Sequence, residues 1–393
     1  ILIHPEAISN RWTPVMLSVT HLLVLGFAAM VMFGAIQQLI PVLAGVRLPN
    51  PQLISRGLYV GLVAGVVCLC AGFYLGNDVL MSIALIMLLA TIVAFVLIMM
   101  TALWRSEANP ASTRGMRLAV LSFLISVTVG LYLLAGHGPG DVPLARHLTS
   151  LHLTWGLLGW VALLVMAVSY QVVPMFQITP KYPKLIIDWL APFVFAALIL
   201  WSLAEFVWPV WFPDWLGLVG RACVAMGLLT FCFVTFRLQP KRRRKLPDVT
   251  LDFFKVALAA MVAAILIWSV PASFLPERDV LIGVLLIPGF TMSVISGMLY
   301  KIVPFLVWLH LTNEIDMSRR WERAIPNMKQ IIRDRYARVQ FYVHLSGLVV
   351  YVAGVLTHYW VVRAGGMLLL LSNLVLFGNL LSGVWVYRTY TRE

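Results

Sequence analysis

Charged side chains are scarce in this sequence: Asp, Glu, Lys and Arg together make up 11% of its 393 residues. A soluble domain carries roughly 25%, so that class is excluded. Cysteine is rarer still. All four (Cys68, Cys70, Cys223 and Cys232) lie inside apolar runs, where thiols pack as small apolar side chains, which argues against a disulfide framework. The chain also lacks the polar–apolar alternation of a transmembrane barrel and a signal-peptide pattern. No soluble domain or low-complexity linker interrupts it. What is present is hydrophobicity, 61% of residues, with a mean hydropathy of +0.92. Apolar runs long enough to cross a bilayer recur along the whole chain. Lipid offers no partner to an unpaired backbone group, so unbroken apolar runs must be helical. The reading is an all-α, polytopic membrane helical bundle.

Eleven spans are expected, at about 14–40, 53–75, 78–103, 115–136, 145–173, 185–208, 215–236, 251–270, 279–305, 338–361 and 366–388. Basic residues orient them. The loops after odd-numbered spans, with the helix ends beside them and the C-terminus, hold 23 of the 29 Lys and Arg, including Arg105, Lys181, the run Lys241 to Lys245 and seven between Arg319 and Arg338. Only Arg11, Arg146, Arg278 and Arg363 fall on the other side. The basic side is cytoplasmic by the positive-inside rule, which puts the C-terminus in the cytoplasm and suggests a bacterial inner membrane. The net charge of +13 is thus topology and attraction to anionic lipid, not a nucleic-acid patch. The stretch VWPVWFPDW (207–215) reads as an aromatic belt. The long loop 308–337, around Trp321 and Ile331, is expected to be a helical segment near the cytoplasmic interface and a docking surface for a partner protein.

One stretch is written three times. HLLVLGFAAMVMFGAIQQLIP (21–41) recurs as residues 154–174 and 284–304, aligned on Pro41, Pro174 and Pro304. Fifteen residues earlier stand Gly26, Gly159 and Gly289; seven earlier, Gly34, Ala167 and Gly297. Four earlier stand Gln37, Tyr170 and Tyr300; three earlier, Gln38, Gln171 and Lys301. Such spacing is an internal repeat. Repeats at about 14–136, 145–270 and 279–388 then imply three four-helix units in a pseudo-threefold arrangement, with a twelfth span expected upstream of Ile1. The prolines are expected to end their helices, and the small residues to let three helices meet around a central axis.

Ionisable groups inside the spans are the candidate chemistry. His21 and His152 lie in the outer third of repeat helices, with His4, His137, His147 and His358 also toward the outer side. His310 and His344 lie toward the cytoplasm. Imidazole ligates haem iron and copper, which makes His21, His147 and His152 metal candidates. A histidine hydrogen-bonded to a neighbouring helix is the competing reading. Cys68 and Cys70 could hold Cu(I) but more commonly just pack. Glu205 and Arg221 sit at similar depth and are expected to pair, unless Arg221 receives a haem propionate or another carboxylate. Lys301 is expected to snorkel; a path using Tyr300 and Lys301, with Gln38, Tyr170 and Gln171 at matching columns, is the alternative.

Twelve spans in three units, with a histidine in the outer part of the second helix, resemble the haem-copper oxidase subunit I superfamily. The stretch 21–41 is similar to helices of its NnrS-type branch, with histidine, glycine and terminal proline similarly spaced. The resemblance implies haem and copper as cofactors and a role in nitric-oxide- or copper-linked respiration. By span count His21 would be an axial haem ligand, and His152 would fall on the helix that supplies a copper ligand. The chain departs from the oxidase pattern. His152 is followed by Leu153 and Thr154 rather than a His-Pro-x-x-Tyr stretch. Span six has no histidine, and the tenth-helix equivalent, GVLLIPGFTMSVISGMLYKIVP, has none either. Oxygen reduction is therefore not expected, and no catalytic residue stands out. A transporter of a small solute or metal and a membrane subunit of a larger complex are the other functions the sequence allows.

Overall fold

The computed structural model describes residues 10–106, 110–138, 142–207, 209–243, 246, 248–314 and 325–391. His4, Trp321, Arg319, Arg244 and Lys245 lie outside them. Eleven helices are long and apolar enough to cross a membrane: α1 (Pro14–Val42), α2 (Pro51–Leu75), α3 (Asp78–Trp104), α4 (Ala111–His137), α5 (Leu148–Gln177), α6 (Lys184–Val207), α7 (Asp214–Lys241), α8 (Val249–Trp268), α9 (Arg278–Asn313), α10 (Asp334–Leu356) and α11 (Tyr359–Thr391). No strand occurs among the described residues. The chain is an integral membrane protein in which lipid covers the exposed apolar flanks. Local chemistry sets the helix starts. Thr13 Oγ1 accepts from Met16 N–H at the head of α1, Asn77 Oδ1 from Leu80 N–H at α3, and Asp248 Oδ1 from Thr250 N–H at α8, each satisfying a backbone donor the helix cannot. Between α2 and α3, Gly76 adopts a φ of 62°, a left-handed turn that glycine makes without steric cost.

The chain divides into two compact units, Asn10–Arg243 with α1 to α7, and Arg244–Glu393 with α8 to α11. In the first, Phe33 of α1, Phe95 of α3, Phe123 of α4 and Trp160 of α5 form one aromatic knot. The Phe33 and Phe95 rings stack at 3.6 Å, and Phe123 meets Trp160 at 4.8 Å. In the second, α10 and α11 form a hairpin around Gly347, Gly354 and Gly365. A Cβ on Gly365 would lie 2.5 Å from Tyr351 N, and one on Gly354 would lie 2.3 Å from Val362 N. Glycine is required at both, because backbone fills the space a side chain would need.

The three repeat helices share a local geometry beyond their sequence. Each widens into a π-type stretch of eight residues, Leu22–Ala29 in α1, Thr154–Val161 in α5 and Leu285–Met292 in α9. Each stretch contains the aligned glycine. In α9 the Thr291 hydroxyl donates to Leu286 O, five residues back, at 2.7 Å. Such stretches are rare and concentrate at functional sites. Counted from the aligned prolines, those of α1 and α9 coincide and that of α5 is offset by one residue, as a repeat predicts.

Three expectations are corrected. No proline is the last residue of its helix: Pro41 and Pro174 stand three residues before the helical ends at Ala44 and Gln177, and Pro304 stands further inside. Pro174 and Pro304 sit inside α5 and α9, which run on to Gln177 and Asn313. A proline removes one helical bond, but buried side chains beyond it (Val307 and Leu311 in α9, Gln177 in α5) anchor the next turn. The long loop is shorter than expected, since 308–313 belong to α9. Its described remainder contains a helical turn, Met328–Ile331, closed by a capping box at Asn327. Ile331 and Ile332 are buried, next to Gly383 of α11, so this part packs against its own unit. Finally, the small residues of α5 and α9 receive the preceding helix. Ser122 and Gly115 of α4 approach Gly159 and Ala167, while Ala260 and Phe253 of α8 approach Gly289 and Gly297.

Candidate functional site

The chain places His21 and His152 beside the widened stretches. His21 immediately precedes Leu22–Ala29, and His152 stands two residues before Thr154–Val161. The aromatic knot holds α1 against α5 through α3 and α4, and the two imidazoles come together with ring centres 6.2 Å apart and planes inclined by 24°. Each ring is pinned by a backbone carbonyl. His21 Nδ1 lies 2.7 Å from Leu17 O, and His152 Nδ1 lies 2.8 Å from Ser126 O. A carbonyl only accepts, so in both rings Nδ1 carries the proton and donates. The lone pair of each neutral ring is then on Nε2, the arrangement by which second-shell contacts prepare a ligating histidine. Ser126 also donates its hydroxyl to His152 O at 3.0 Å.

The walls fix the rings further. Phe73 of α2 lies 5.5 Å from the His21 ring and 5.4 Å from that of His137. Gly130 of α4 leaves room for His152, since a Cβ there would stand 2.7 Å from the ring's Cε1. By chemistry alone, two neutral imidazoles are a donor set that would suit haem iron or copper. Among the described residues no group of three or more His, Cys, Asp or Glu could hold a metal ion, so a closed four-ligand centre of the zinc type is not built there.

The other candidates are distributed elsewhere. His147 is exposed, one residue ahead of α5. Arg221 Nε lies 3.4 Å from Glu205 Oε2, which also accepts from Trp201 Nε1 at 2.7 Å, so its charge is met within the protein. Cys70 donates its thiol to Ser18 O at 3.3 Å while Ser18 Oγ donates to Cys70 O. That contact ties α1 to α2. Of the repeat columns, Gln37, Tyr170 and Tyr300 are all buried, whereas Gln38 and Gln171 are exposed. Tyr170 packs on Tyr182, and Tyr300 OH accepts from Asn379 Nδ2 at 2.9 Å. Lys301 is partly exposed and ion-paired. Its Nζ lies 2.7 Å from Asp248 Oδ2, joining α9 to the carboxylate that caps α8. Replacing Lys301 with methionine is expected to cost about 1–2 kcal/mol, between an exposed and a buried ion pair, and Lys301→Arg much less. Thermal unfolding of the detergent-solubilised variants checks this.

Sequence reasoning passed over one buried group. His344, near the middle of α10, is 1% exposed, and its Nε2 lies 2.9 Å from Ser293 Oγ of α9. One turn away Gln340 donates to Ser372 Oγ of α11 at 2.8 Å. The signal was the spacing: Gln340 and His344 are four apart in an apolar run and so share one helix face.

Fold and site together define a polytopic α-helical integral membrane protein with a histidine pair between two repeat helices. No protein-family description matches the chain, and no curated protein matches it.

Proposed function

We propose that the His21–His152 pair holds a haem iron or a copper ion, and that the protein serves nitric-oxide- or copper-linked respiration as a relative of the haem-copper oxidases without reducing oxygen. The observation that carries this reading is the pair itself: two rings 6.2 Å apart, each fixed through Nδ1 and each offering Nε2. A bound haem or copper would supply one-electron chemistry. The residues of the chain orient the ligands: Leu17 O and Ser126 O set the tautomers, Gly130 admits the His152 ring, and Phe73 closes one side of His21. The missing oxidase histidines speak against a binuclear oxygen-reducing centre. The basic loops favour a C-terminus in the cytoplasm of a bacterial inner membrane.

Metal analysis and a visible spectrum of the purified protein test the proposal. The expected result is stoichiometric haem, seen as a Soret band, or stoichiometric copper, abolished by His21→Ala and by His152→Ala. Gly130→Ala, which displaces the His152 ring without touching a donor atom, is expected to weaken retention about 10–100-fold. Protein that folds normally but takes up neither haem nor copper under reconstitution would overturn the reading.

A further inference from the structure

The column four residues before the aligned prolines holds Gln37, Tyr170 and Tyr300, all buried. In α1 and α9 a side chain from another helix of the same unit answers that residue. Ser55 of α2 donates its hydroxyl to Gln37 Oε1 at 2.9 Å, and Asn379 of α11 donates to Tyr300 OH at 2.9 Å. Tyr170 breaks the pattern. It is 5% exposed, and its OH has no hydrogen-bond partner among the described residues. A buried hydroxyl left unpaired is costly, so something other than those side chains has to answer it.

Tyr170 is not alone. Gln177 Oε1, further along α5, and both polar atoms of the Gln239 amide in α7 are buried without a partner among the described residues. Gln177 is 5% exposed and Gln239 2%. Spacings of seven and four residues place Gln177 on the face of Tyr170, and Gln239 on the face of Thr235, as helical periodicity requires. Tyr182 joins the two faces. Its ring packs on Tyr170 at 5.3 Å, and its hydroxyl shares a hydrogen bond with Thr235 Oγ1 at 3.0 Å. The helix ends are tied as well. Ile178 adopts a left-handed φ of 54°, unusual for a β-branched residue, and its carbonyl accepts Arg243 N–H at 3.0 Å. All these residues belong to the first compact unit, and the contacts that join them lie within it.

The chemistry of the cluster selects its ligand. Tyr170, Gln177, Tyr182, Thr235 and Gln239 are all uncharged. Gln177 Oε1 and Gln239 Oε1 can only accept a hydrogen bond, which repels an anion. Lys181, Lys184, Lys241, Arg242 and Arg243, close by in sequence, repel a cation. Gln239 Nε2 can only donate. The ligand is therefore small and neutral, and it both donates and accepts. We infer that internal water binds among Tyr170, Gln177 and Gln239 and joins the basic end of α5 to that of α7. Buried water typically makes about three hydrogen bonds to groups with no other partner. Here it does for Tyr170 what Ser55 does for Gln37 and Asn379 for Tyr300. The inference does not depend on the histidine pair binding anything.

Pulsed X-ray radiolysis of the protein in lipid nanodiscs tests it, because hydroxyl radicals form from bound water in place and oxidise the side chains beside it. Mass spectrometry reads the rate at each tyrosine. The expected result is that Tyr170 and Tyr182 are oxidised several-fold faster than Tyr351 of α10, which is buried to a similar degree at 6% exposed. In Gln239→Leu, which removes a donor and an acceptor at similar volume, both rates are expected to fall to the level of Tyr351. Gln177→Leu serves in case the first variant does not fold. Rates at Tyr170 and Tyr182 no higher than at Tyr351 would mean a dry site and would overturn the inference. High rates that neither variant lowers would mean that bulk solvent reaches the rings, which would overturn it as well.

Discussion

Replacing Phe95 with alanine is expected to destabilise the protein by about 3–5 kcal/mol, the range for deleting a fully buried aromatic ring, and to loosen the histidine pair as well. Phe95 has no exposed surface and stacks on Phe33 at 3.6 Å; its ring is 6.1 Å from Phe123 and 6.0 Å from Trp160. Those partners come from α1, α4 and α5, the helices that carry His21, Gly130 and His152. Removing the ring leaves a cavity at the junction that sets the distance between α1 and α5, and packing in a membrane interior resists collapse as it does in water. Two measurements follow: thermal unfolding in detergent, where the midpoint falls sharply, and haem or copper retention by the folded fraction, where loss is expected although no ligand was changed. Phe95→Leu, which keeps most of the volume, is expected to recover the larger part of both. A Phe95→Ala protein with unchanged melting would show that the knot does not organise this unit.

The second large effect belongs to the other unit. Gly365→Val is expected to prevent α10 and α11 from closing. The alanine version alone would set its Cβ 2.5 Å from Tyr351 N and 2.6 Å from Tyr351 Cα. Those are backbone atoms, which cannot rotate aside as the tip of a side chain can. Overpacking costs about 1–3 kcal/mol where side chains can yield, and more where they cannot, so Gly365→Val lies beyond the upper end. Gly378→Val is the control, because a Cβ there meets nothing within 4 Å on the same helix. Limited proteolysis of membranes is the readout: rapid cleavage near the α10–α11 turn for Gly365→Val, and protection for Gly378→Val. Equal protection would mean that the hairpin is held by something other than close backbone contact.

Much of this was legible in the chain, for identifiable reasons. All eleven helices follow from apolar length alone, because lipid leaves the backbone no alternative, and most ends fall within four residues of the expected positions. The larger differences have causes. α9 ran past Pro304 because Val307 and Leu311 found buried sites beyond it, and α11 starts at Tyr359 although the first turn contains Arg363, whose guanidinium lies over the Trp360 ring. The repeat was legible as aligned columns, and the π-type stretches fall within one residue of the same register. Hydropathy did not distinguish Gln37 from Gln38, yet one is buried and the other exposed, because adjacent residues on a helix point about 100° apart.

The sequence by itself determined that the chain is a membrane protein, where its helices lie, and that three of them share one design, since these depend on composition and spacing along a single strand of chain. Only the tertiary structure decided which helix each glycine admits, that His21 and His152 face one another, that Lys301 answers Asp248, and that His344 is buried beside Ser293. The last three of those contacts join residues 131, 53 and 51 positions apart. Helical periodicity says which side of its own helix a residue occupies, and only packing determines what stands across from it.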